Sequence, residues 1–504
     1  MKVFSTLNNR LFPESIFNII FFLIIGSFIL ISYIHFNYTP DDTFIYLQFS
    51  RNIINGEGFA FNSGNPIYGV TSPLWTLIIS MFGYFGLNLL SAAKYADLFF
   101  ALTSILLFYK LANKIIQDKW IALFATVTFA FNAWLIRWTG TGMETSLSVL
   151  LTLVVLLSAL NNKYYSTALF LSLLMLVRPE TLLLTFLYFV FIYMNAVDVK
   201  IYFKKTAILL WIFGFILLPW FAYAYTNFGS IIPNTALAKA GLSINPDNFY
   251  WTFKDIIKTI SVTDGLPLAL FLIGIMLTLL KYEKYKVWLI SNFLPLSWVI
   301  GLIFLYLITQ ANVVSRYLLM ITPLLIIYSF YFVTKWLCDL KLAKYYKFFL
   351  IIFTILIVSQ NIYIYKDYIK PSIDAFTKGM NECFIPLGIW LKNNTEKNVV
   401  VMTPDIGAIG YYSERKICDA AGLVSNAILS HKRSGFTYQD IIDKKLYNDV
   451  CNADYVIHRS NYFNDINDSQ LLPIFHKKIE GLGLEDMRIV YYTLYKVNKK
   501  NERE

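Results

Sequence analysis

The sequence predicts a polytopic α-helical membrane protein with about eleven transmembrane helices and a C-terminal extracytoplasmic α/β domain. Of its 504 residues, 57% are hydrophobic and 15% are charged, whereas soluble domains average about 45–50% and about 25%. The apolar residues form blocks of roughly 20, long enough to cross a bilayer as a helix. The blocks stop near Tyr365, and β-branched or aromatic runs typical of strands follow at 398–402, 454–458 and 488–497.

Twelve apolar segments are candidate helices, and the basic residues between them indicate which ones cross. Lys2 and Arg10 place the N-terminus in the cytoplasm by the positive-inside rule. The other basic clusters also lie inside if segment 72–90 stays at the outer surface. For 164–178 and 180–197, full crossings and a shallow hairpin both remain open. The eleven predicted crossings are 16–36, 95–116, 119–137, 141–160, 164–178, 180–197, 206–225, 265–281, 286–308, 315–337 and 346–365.

This topology divides the chain into a transmembrane domain, residues 1–365, and a soluble extracytoplasmic domain, residues 366–504. Two loops, 37–91 and 226–264, lie on the same outer side as the soluble domain. The first apolar block is too long for a cleavable signal peptide, so we interpret it as a retained helix. The expected location is the bacterial cytoplasmic membrane, with membrane lipids as neighbours.

The net charge of +11 does not indicate a nucleic-acid partner, because Lys and Arg gather at helix ends, where topology requires them. The four cysteines match no metal-ligand spacing. A disulfide among Cys383, Cys418 and Cys451 remains open, since it depends on an oxidising compartment.

Asp41 and Asp42 follow the first helix and are the strongest candidates for chemistry. Adjacent carboxylates near a bilayer repel each other and are partly desolvated, which raises at least one pKa toward the range of a general base. The alternative is a solvated acidic turn after Pro40. The glycines, asparagines and aromatic residues that follow, up to Trp75, favour a folded cap over a site at the membrane surface.

A series of short motifs runs along the chain in this order: Asp41-Asp42, Arg51-Asn52, Gly56-x-Gly58, Phe61-Asn62, Thr71 to Trp75, Gly142 to Thr145, Arg178-Pro179-Glu180, Pro233-Asn234-Thr235 with Lys239, Arg316-Tyr317, Asp405 to Gly407 with Tyr411, and Asp419 with Gly422-Leu423. Together, these motifs resemble the GT-C superfamily of polyprenyl-phosphate-sugar glycosyltransferases, and within it the terminal arabinofuranosyltransferase-like group. One position departs from the resemblance: relatives often carry Glu where Tyr68 stands, so they do not determine the donor sugar of this chain.

The resemblance implies transfer of a monosaccharide, with arabinofuranose as the leading candidate, from a polyprenyl-phosphate donor to an extracytoplasmic glycan or protein acceptor. An aspartate takes the proton of the acceptor hydroxyl, and the anomeric configuration inverts. Asp41 is slightly favoured as the base, because it matches the first position of the family's pair. The second aspartate orients the base or holds a cation. No cofactor and no metal site are predicted, although a divalent cation remains open.

Basic residues at predicted outer helix ends are candidates for the donor phosphate, because a guanidinium binds phosphate oxygens bidentately. The alternative for each is an interfacial side chain that snorkels to water. Glu144 could bind sugar hydroxyls or simply favour a helix N-terminus, and Asn234 could cap a turn. The phosphate candidates are Arg137, Arg178, Arg316 and Lys239; the sugar or acceptor candidates are Glu144, Asn234, Arg51 and Tyr68.

Three other functions compete with this interpretation. A lipid-carrier flippase or transporter would show ionisable residues inside its helices and internal symmetry, and neither is prominent here. An oligosaccharide ligase would use a preassembled glycan, and a membrane scaffold would use the outer domain to bind a partner.

Overall fold

The structure is a computed structural model that describes residues 14–196, 198–239, 246–340, 342, 345–462, 466, 468–480 and 489–499. Helices account for most of the first 394 residues. They are α1 Glu14–Ile34, α2 Asp41–Ile54, α3 Pro73–Tyr84, α4 Leu89–Ile116, α5 Lys119–Ala130, α6 Ala133–Trp138, α7 Thr145–Leu160, α8 Tyr164–Met175, α9 Leu182–Met194, α10 Val199–Phe228, α11 Asn234–Lys239, α12 Pro246–Leu279, α13 Tyr282–Ser291, α14 Phe293–Thr309, α15 Ser315–Leu318, α16 Thr322–Asp339 and α17 Tyr346–Ile364.

Within the described residues, five helical segments are long and apolar enough to cross a membrane, and the bent pair α13 and α14 would make six. On the first segment, Phe22 and Leu30 are more than two-thirds exposed, as expected for side chains that face lipid. Other predicted crossings, such as 164–178, correspond to helices of 10–17 residues. The eleven-crossing topology therefore stays a prediction. The five segments are Ser15–Ile34, Leu89–Ile116, Val199–Phe228, Asp247–Leu279 and Phe348–Asn394.

The segment predicted as the first outer loop, 37–91, is largely regular structure. It contains the 14-residue helix α2, a short hairpin of β1 Ala60–Asn62 and β2 Asn65–Pro66, and α3. Helix α3 has 12 residues and a length of about 18 Å, too short for a hydrocarbon core of about 30 Å. The predicted crossing 164–178 corresponds to a helix of the same length, α8, so the path of segment 72–90 outside the bilayer stays a prediction.

The predicted second outer loop, 226–264, is also mostly helical where it is described. Helix α10 continues to Phe228, α11 begins at Asn234, and α12 begins at Pro246 and bends at Asp264. The predicted boundary at residue 365 lies inside a continuous helical segment. That segment runs from Tyr346 to Asn394 through α17, α18 Lys370–Gly379 and α19 Ile385–Asn394, with a π-helical turn before each of the last two helices.

The C-terminal part contains a five-stranded mixed sheet in the order β4-β3-β5-β7-β6. Strand β3 runs parallel to β4 and β5, whereas β7 runs antiparallel to β5 and β6. Three strands lie where the sequence predicts them; β4 and β6 were not predicted. The remaining elements are β3 Val400–Thr403, α20 Gly407–Ser413, β4 Lys416–Asp419, α21 Asn426–Arg433, α22 Tyr438–Asp443, α23 Leu446–Asp449, β5 Tyr455–Ser460, β6 Leu471–Glu480 and β7 Ile489–Val497.

A disulfide joins Cys418 of β4 to Cys451, which follows α23. It is one of the pairings that the sequence leaves open. The bond ties the edge strand of the sheet to the segment that leads into β5.

Candidate functional site

A cavity of about 400 Å³, including its open mouth, lies where α2, the turn before α7, the start of α9, α15 and the C-terminal domain meet. Two acidic and two basic side chains line it: Asp42, Glu144, Arg178 and Arg316. They come from positions up to 274 residues apart. The fold therefore brings four of the predicted site residues to one place.

Asp42 lies in the first turn of α2, where a carboxylate interacts favourably with the helix dipole. Its Oδ2 atom lies 2.6 Å from Nη2 of Arg316. The Arg316 side chain is 10% exposed, and that of Asp42 is 45% exposed. Asp42 thus combines a fixed orientation with access to the cavity, and a general base requires both.

Glu144 and Arg178 form a second ion pair in the cavity lining, which is buried, with 2.9 Å between Oε1 and Nη2. The Arg178 guanidinium also stacks over Tyr317, 4.7 Å from the ring centre. The Oε2 atom of Glu144 and the hydroxyl of Thr235, which also lines the cavity, are buried and have no hydrogen-bond partner among the described residues. Both atoms are suited to bind hydroxyl groups of a ligand.

Arg137 lies beside this cavity. Its Nη2 atom donates a hydrogen bond to the Tyr38 hydroxyl at 3.1 Å, while its Nε and Nη1 atoms are buried without a partner among the described residues. The guanidinium groups of Arg137 and Arg316 each lie 5.3 Å from the ring centre of Trp138. Two buried cations thus share one indole, and Nε of Arg316 also lacks a described partner. Such an arrangement attracts an anion.

Asp41, the slightly favoured candidate for the base, is bound differently from Asp42. Its two carboxylate oxygens accept hydrogen bonds from the backbone N–H groups of Gly407, at 2.9 Å, and Ala408, at 2.8 Å. Burial and the nearby Asp405 raise the pKa of Asp41 to about 7, although the two N–H groups act in the opposite direction. The carboxylate faces the C-terminal domain, and Asp41 is not among the residues that line the cavity.

The other candidates for sugar or acceptor contacts lie outside the cavity. Arg51 stacks over Tyr411 and pairs with Glu414 at 3.6 Å. The Tyr68 hydroxyl accepts a hydrogen bond from Nε1 of Trp220, within an aromatic cluster. The side chain of Asn234 donates to the Leu423 carbonyl and to Asn426. These residues hold segments together, and the side chain of Asn234 contacts the distant segment 423–426, whereas a cap would bond to the backbone of its own turn. The side chain of Lys239 lies outside the described part of the structure.

Two buried aspartates that were not among the predicted site residues form hydrogen bonds to the segments that carry Glu144, Arg137 and Arg316. Asp97 accepts hydrogen bonds from the N–H groups of Thr141 and Gly142, just before Glu144. Asp264 accepts hydrogen bonds from Asn132, the N-cap of the helix that carries Arg137, and from Thr322, which follows Arg316. An ionisable residue inside an apolar helix is the signal that could have identified both.

No three His, Cys, Asp or Glu side chains gather into a group that could hold a metal ion within the part of the chain that the structure describes. The charged groups of the cavity are instead arranged as two Arg–carboxylate pairs. This arrangement can bind an anion and accept a proton.

Comparison with known proteins identifies the fold. The chain resembles the oligosaccharyltransferase of Archaeoglobus fulgidus in the apo form, with TM-score 0.58, 15% identity, and coverage of 87% of this chain and 69% of that one. It also resembles ArnT from Cupriavidus metallidurans bound to undecaprenyl phosphate, with TM-score 0.54, 11% identity, and coverage of 95% and 98%. At these identities the likeness shows the fold, and the predicted GT-C-like fold class with a C-terminal α/β domain is confirmed.

A third similar structure is AglB from Archaeoglobus fulgidus, in complex with an inhibitory peptide and a dolichol-phosphate, with TM-score 0.56, 14% identity, and coverage of 86% of this chain and 69% of that one. A domain family described as a domain of unknown function, DUF8728, matches residues 376–496. No curated protein matches the sequence.

Proposed function

We propose that this chain is a membrane glycosyltransferase that moves a monosaccharide from a polyprenyl-phosphate donor to an extracytoplasmic glycan or protein. The observation that carries this proposal is the pair Arg137 and Arg316, whose guanidinium groups each lie 5.3 Å from the ring centre of Trp138. Both guanidinium groups are buried, and both have N–H groups without a described partner. A buried cation is costly unless an anion pairs with it, so the pair is suited to a phosphate group.

An apolar groove beside these arginines fits the lipid part of such a donor. Nε1 of Trp138 donates a hydrogen bond to the Ser315 hydroxyl at 2.8 Å, and Ser315 also lines a groove of about 1850 Å³. Apolar side chains dominate the groove, and three charged residues also line it: Asp255, Lys258 and Asp367. The apolar or aromatic residues include Trp134, Val313, Val314, Tyr363, Ile364 and Tyr368. An anionic head next to a long apolar surface is the chemistry of a lipid phosphate. Two of the structures with the same fold hold dolichol-phosphate or undecaprenyl phosphate.

Asp42 is the better-placed general base, since it lines the cavity and Asp41 does not. It takes the proton of the acceptor hydroxyl, and the hydroxyl oxygen forms a bond to the anomeric carbon. The bond between that carbon and the phosphate oxygen breaks, and its electrons leave with the polyprenyl phosphate. Arg316 contacts Asp42 directly and offsets the charge that develops on the phosphate. Attack opposite the leaving group inverts the configuration.

A single sugar is the proposed transferred group. Glu144 and Thr235, which line the cavity together with Arg178, Tyr317 and Leu423, offer hydrogen-bonding atoms to its hydroxyls. The sequence resemblance makes arabinofuranose the leading donor sugar in this proposal. The active site and the C-terminal domain face the extracytoplasmic side, where the Cys418–Cys451 disulfide would be stable.

Binding of undecaprenyl phosphate to the purified protein tests the donor site without knowledge of the sugar. We expect Arg137→Gln to weaken this binding about tenfold, because a charge-assisted hydrogen bond contributes about 1.5–3 kcal/mol. Arg433→Gln, at the exposed end of α21, is the matched control and should bind like wild type. Equal binding by all three proteins would contradict the proposed phosphate site.

Transfer itself is tested by incubating the protein with polyprenyl-phosphate arabinofuranose or a polyprenyl-phosphate hexose, and with glycan acceptors. Release of polyprenyl phosphate together with glycosylated acceptor supports the enzyme. Donor binding without release from either sugar lipid would favour a carrier or transporter instead.

A further inference from the structure

The C-terminal domain supplies part of the wall of the cavity. Leu423 lines the cavity and belongs to a turn, residues 420–424, that follows β4. The Asp419 carboxylate orders this turn by accepting hydrogen bonds from the N–H groups of Ala421, at 2.7 Å, and Val424, at 3.0 Å. The cavity is therefore complete only when this domain is docked on the helices.

Asp41 lies at the centre of that docking contact. Gly407 and Ala408 begin helix α20, and the first N–H groups of a helix have no partner within the helix. Asp41 accepts hydrogen bonds from both, one on each carboxylate oxygen. The two N–H groups at the start of this helix thus hold the side chain of Asp41, which lies 366 residues before Gly407 in the sequence. With both oxygens engaged, Asp41 is poorly placed to reach an acceptor hydroxyl.

Gly407 shows how closely the two parts approach each other. A Cβ atom at this position would lie 2.0 Å from the backbone oxygen of Asp41, well inside van der Waals contact. Only glycine allows this approach without a backbone shift. The approach is also close at Gly69, where a Cβ atom would lie 2.7 Å from the Val424 side chain and 3.1 Å from the Leu423 carbonyl oxygen. The first loop therefore packs closely against the segment that runs from α20 to the 420–424 turn.

A pair of hydrogen bonds strengthens the same interface. The side chain of Asn62 donates to the Ile417 carbonyl at 2.9 Å and accepts from the Ile417 N–H at 2.8 Å. Ile417 lies in β4, which leads directly into Asp419 and the 420–424 turn. The contact path therefore runs from Asp41 through α20 and β4 to Leu423 in the cavity.

We propose that Asp41 is a positioning residue whose carboxylate holds the C-terminal domain in the place where residues 420–424 close the cavity over Asp42. Asp42, the next residue in the chain, performs the proton transfer. The two adjacent aspartates thus have different tasks: one fixes the domain, and the other faces the substrate. Where activity is the readout, this inference rests on the proposed function.

Hydrogen exchange of the backbone N–H groups of residues 420–424 tests the inference without any assay of activity. We expect faster exchange in Asp41→Ala than in wild type. Gly407→Ala disturbs the same contact from the other side and should show the same change, so the result does not depend on one variant. Unchanged exchange in both folded variants would overturn the proposal.

A covalent tether separates positioning from chemistry. Ser63→Cys and Lys416→Cys place thiols at two exposed positions that line the groove between the first loop and the C-terminal domain. They are joined by a flexible bis-maleimide, in a background where the free cysteines Cys338 and Cys383 are replaced by alanine. We expect Asp41→Ala to raise KM for the sugar lipid about tenfold or more and the tether to recover most of this loss.

Asp42→Asn, tethered in the same way, should remain inactive. If the tether held the domain and restored protection from exchange, but the activity lost in Asp41→Ala did not recover, Asp41 would have a chemical role and the proposal would be wrong. If wild type transferred no sugar at all, the proposed function would fail, and the exchange experiment would still decide whether Asp41 positions the domain.

Discussion

Nη2 of Arg316 lies 2.6 Å from Oδ2 of Asp42, although 274 residues separate the two in sequence. This contact joins the proposed base to one of the two cations that flank Trp138. Arg316 therefore borders both reacting partners in the proposed mechanism: the carboxylate that receives the proton and the phosphate that leaves. A single buried side chain thus fixes the spacing between them.

Arg137 should reduce the stability of the protein when no lipid phosphate is bound. It is 6% exposed, and two of its nitrogen atoms have no partner among the described residues. Burial of a charge without a counter-ion costs several kcal/mol of hydration free energy, and an apolar side chain of similar length avoids this cost. We expect Arg137→Met to keep or raise the thermal midpoint of the ligand-free protein, while undecaprenyl phosphate raises that midpoint less than in wild type.

Arg433→Met, on the exposed end of α21, is the control and should respond to undecaprenyl phosphate as wild type does. A large loss of stability in Arg137→Met, with an unchanged response to the lipid, would show that Arg137 is structural.

Docking of the C-terminal domain should depend on pH through Asp41. The pKa of Asp41 is about 7 in the docked protein, against about 3.9 for a solvated aspartate. The docked form therefore binds more protons between these values, so docking is favoured at low pH and weakens as the pH rises from about 4 to about 7. Asp405 and Asp42, both carboxylates, face Asp41 and act in the same direction.

The measurement is hydrogen exchange of residues 420–424 between pH 4.5 and 8, corrected for the intrinsic pH dependence of exchange. Protection should fall across this range in wild type and then level off above pH 7. Asp419, which orders the same turn, has a pKa raised to about 6 by burial and contributes its own part of the change. The change should therefore be smaller in Asp41→Ala than in wild type, and an identical profile in the two proteins would assign the dependence to Asp419 and other groups.

The disulfide should stabilise the C-terminal domain. Cys418 and Cys451 are 33 residues apart, and a bond that closes a loop of this size typically contributes about 2–4 kcal/mol. We expect the double variant Cys418→Ser and Cys451→Ser to lower the thermal midpoint of this domain and to make it insensitive to reductant. A double variant as stable as the oxidised wild type would contradict this prediction.

The eleven-crossing topology predicts that the C-terminal domain is extracytoplasmic. Ser434 is exposed on the loop after α21, so Ser434→Cys offers a thiol there, in a background without Cys338 and Cys383. A membrane-impermeant maleimide should label it in intact cells or spheroplasts. Labelling that appears only after lysis would place the domain in the cytoplasm and overturn the crossing count.

Patterns within one segment of the sequence predicted much of the fold. Alternating β-branched and aromatic residues identified the strands at 400–403, 455–460 and 489–497, and long apolar blocks identified helices such as α1 and α10. Helix α2 was missed because its apolar run is interrupted by polar residues, Gln48 and Ser50 among them. Both side chains are buried, and each donates a hydrogen bond, to the hairpin or to α3. Sequence periodicity does not reveal such partners.

The sequence predicted only part of the candidate site, because contacts between distant segments are again not visible in it. Asp42, Glu144, Arg178 and Arg316 were identified by motif, and the fold brings them together. The sequence did not predict the different tasks that we propose for Asp41 and Asp42, because the contact that occupies Asp41 comes from Gly407, far along the chain. Likewise, nothing local in the sequence indicates that Tyr68 belongs to an aromatic cluster with Trp220.

The rate of polyprenyl phosphate release by Asp42→Asn tests most directly whether Asp42 is the general base. With saturating sugar lipid and acceptor, we predict that kcat falls by about 10²–10⁴ because the general base is lost, while undecaprenyl phosphate still binds. Asp443→Asn, at an exposed position of α22, should retain wild-type turnover as the control. Full turnover by Asp42→Asn would contradict the assignment of Asp42 as the base.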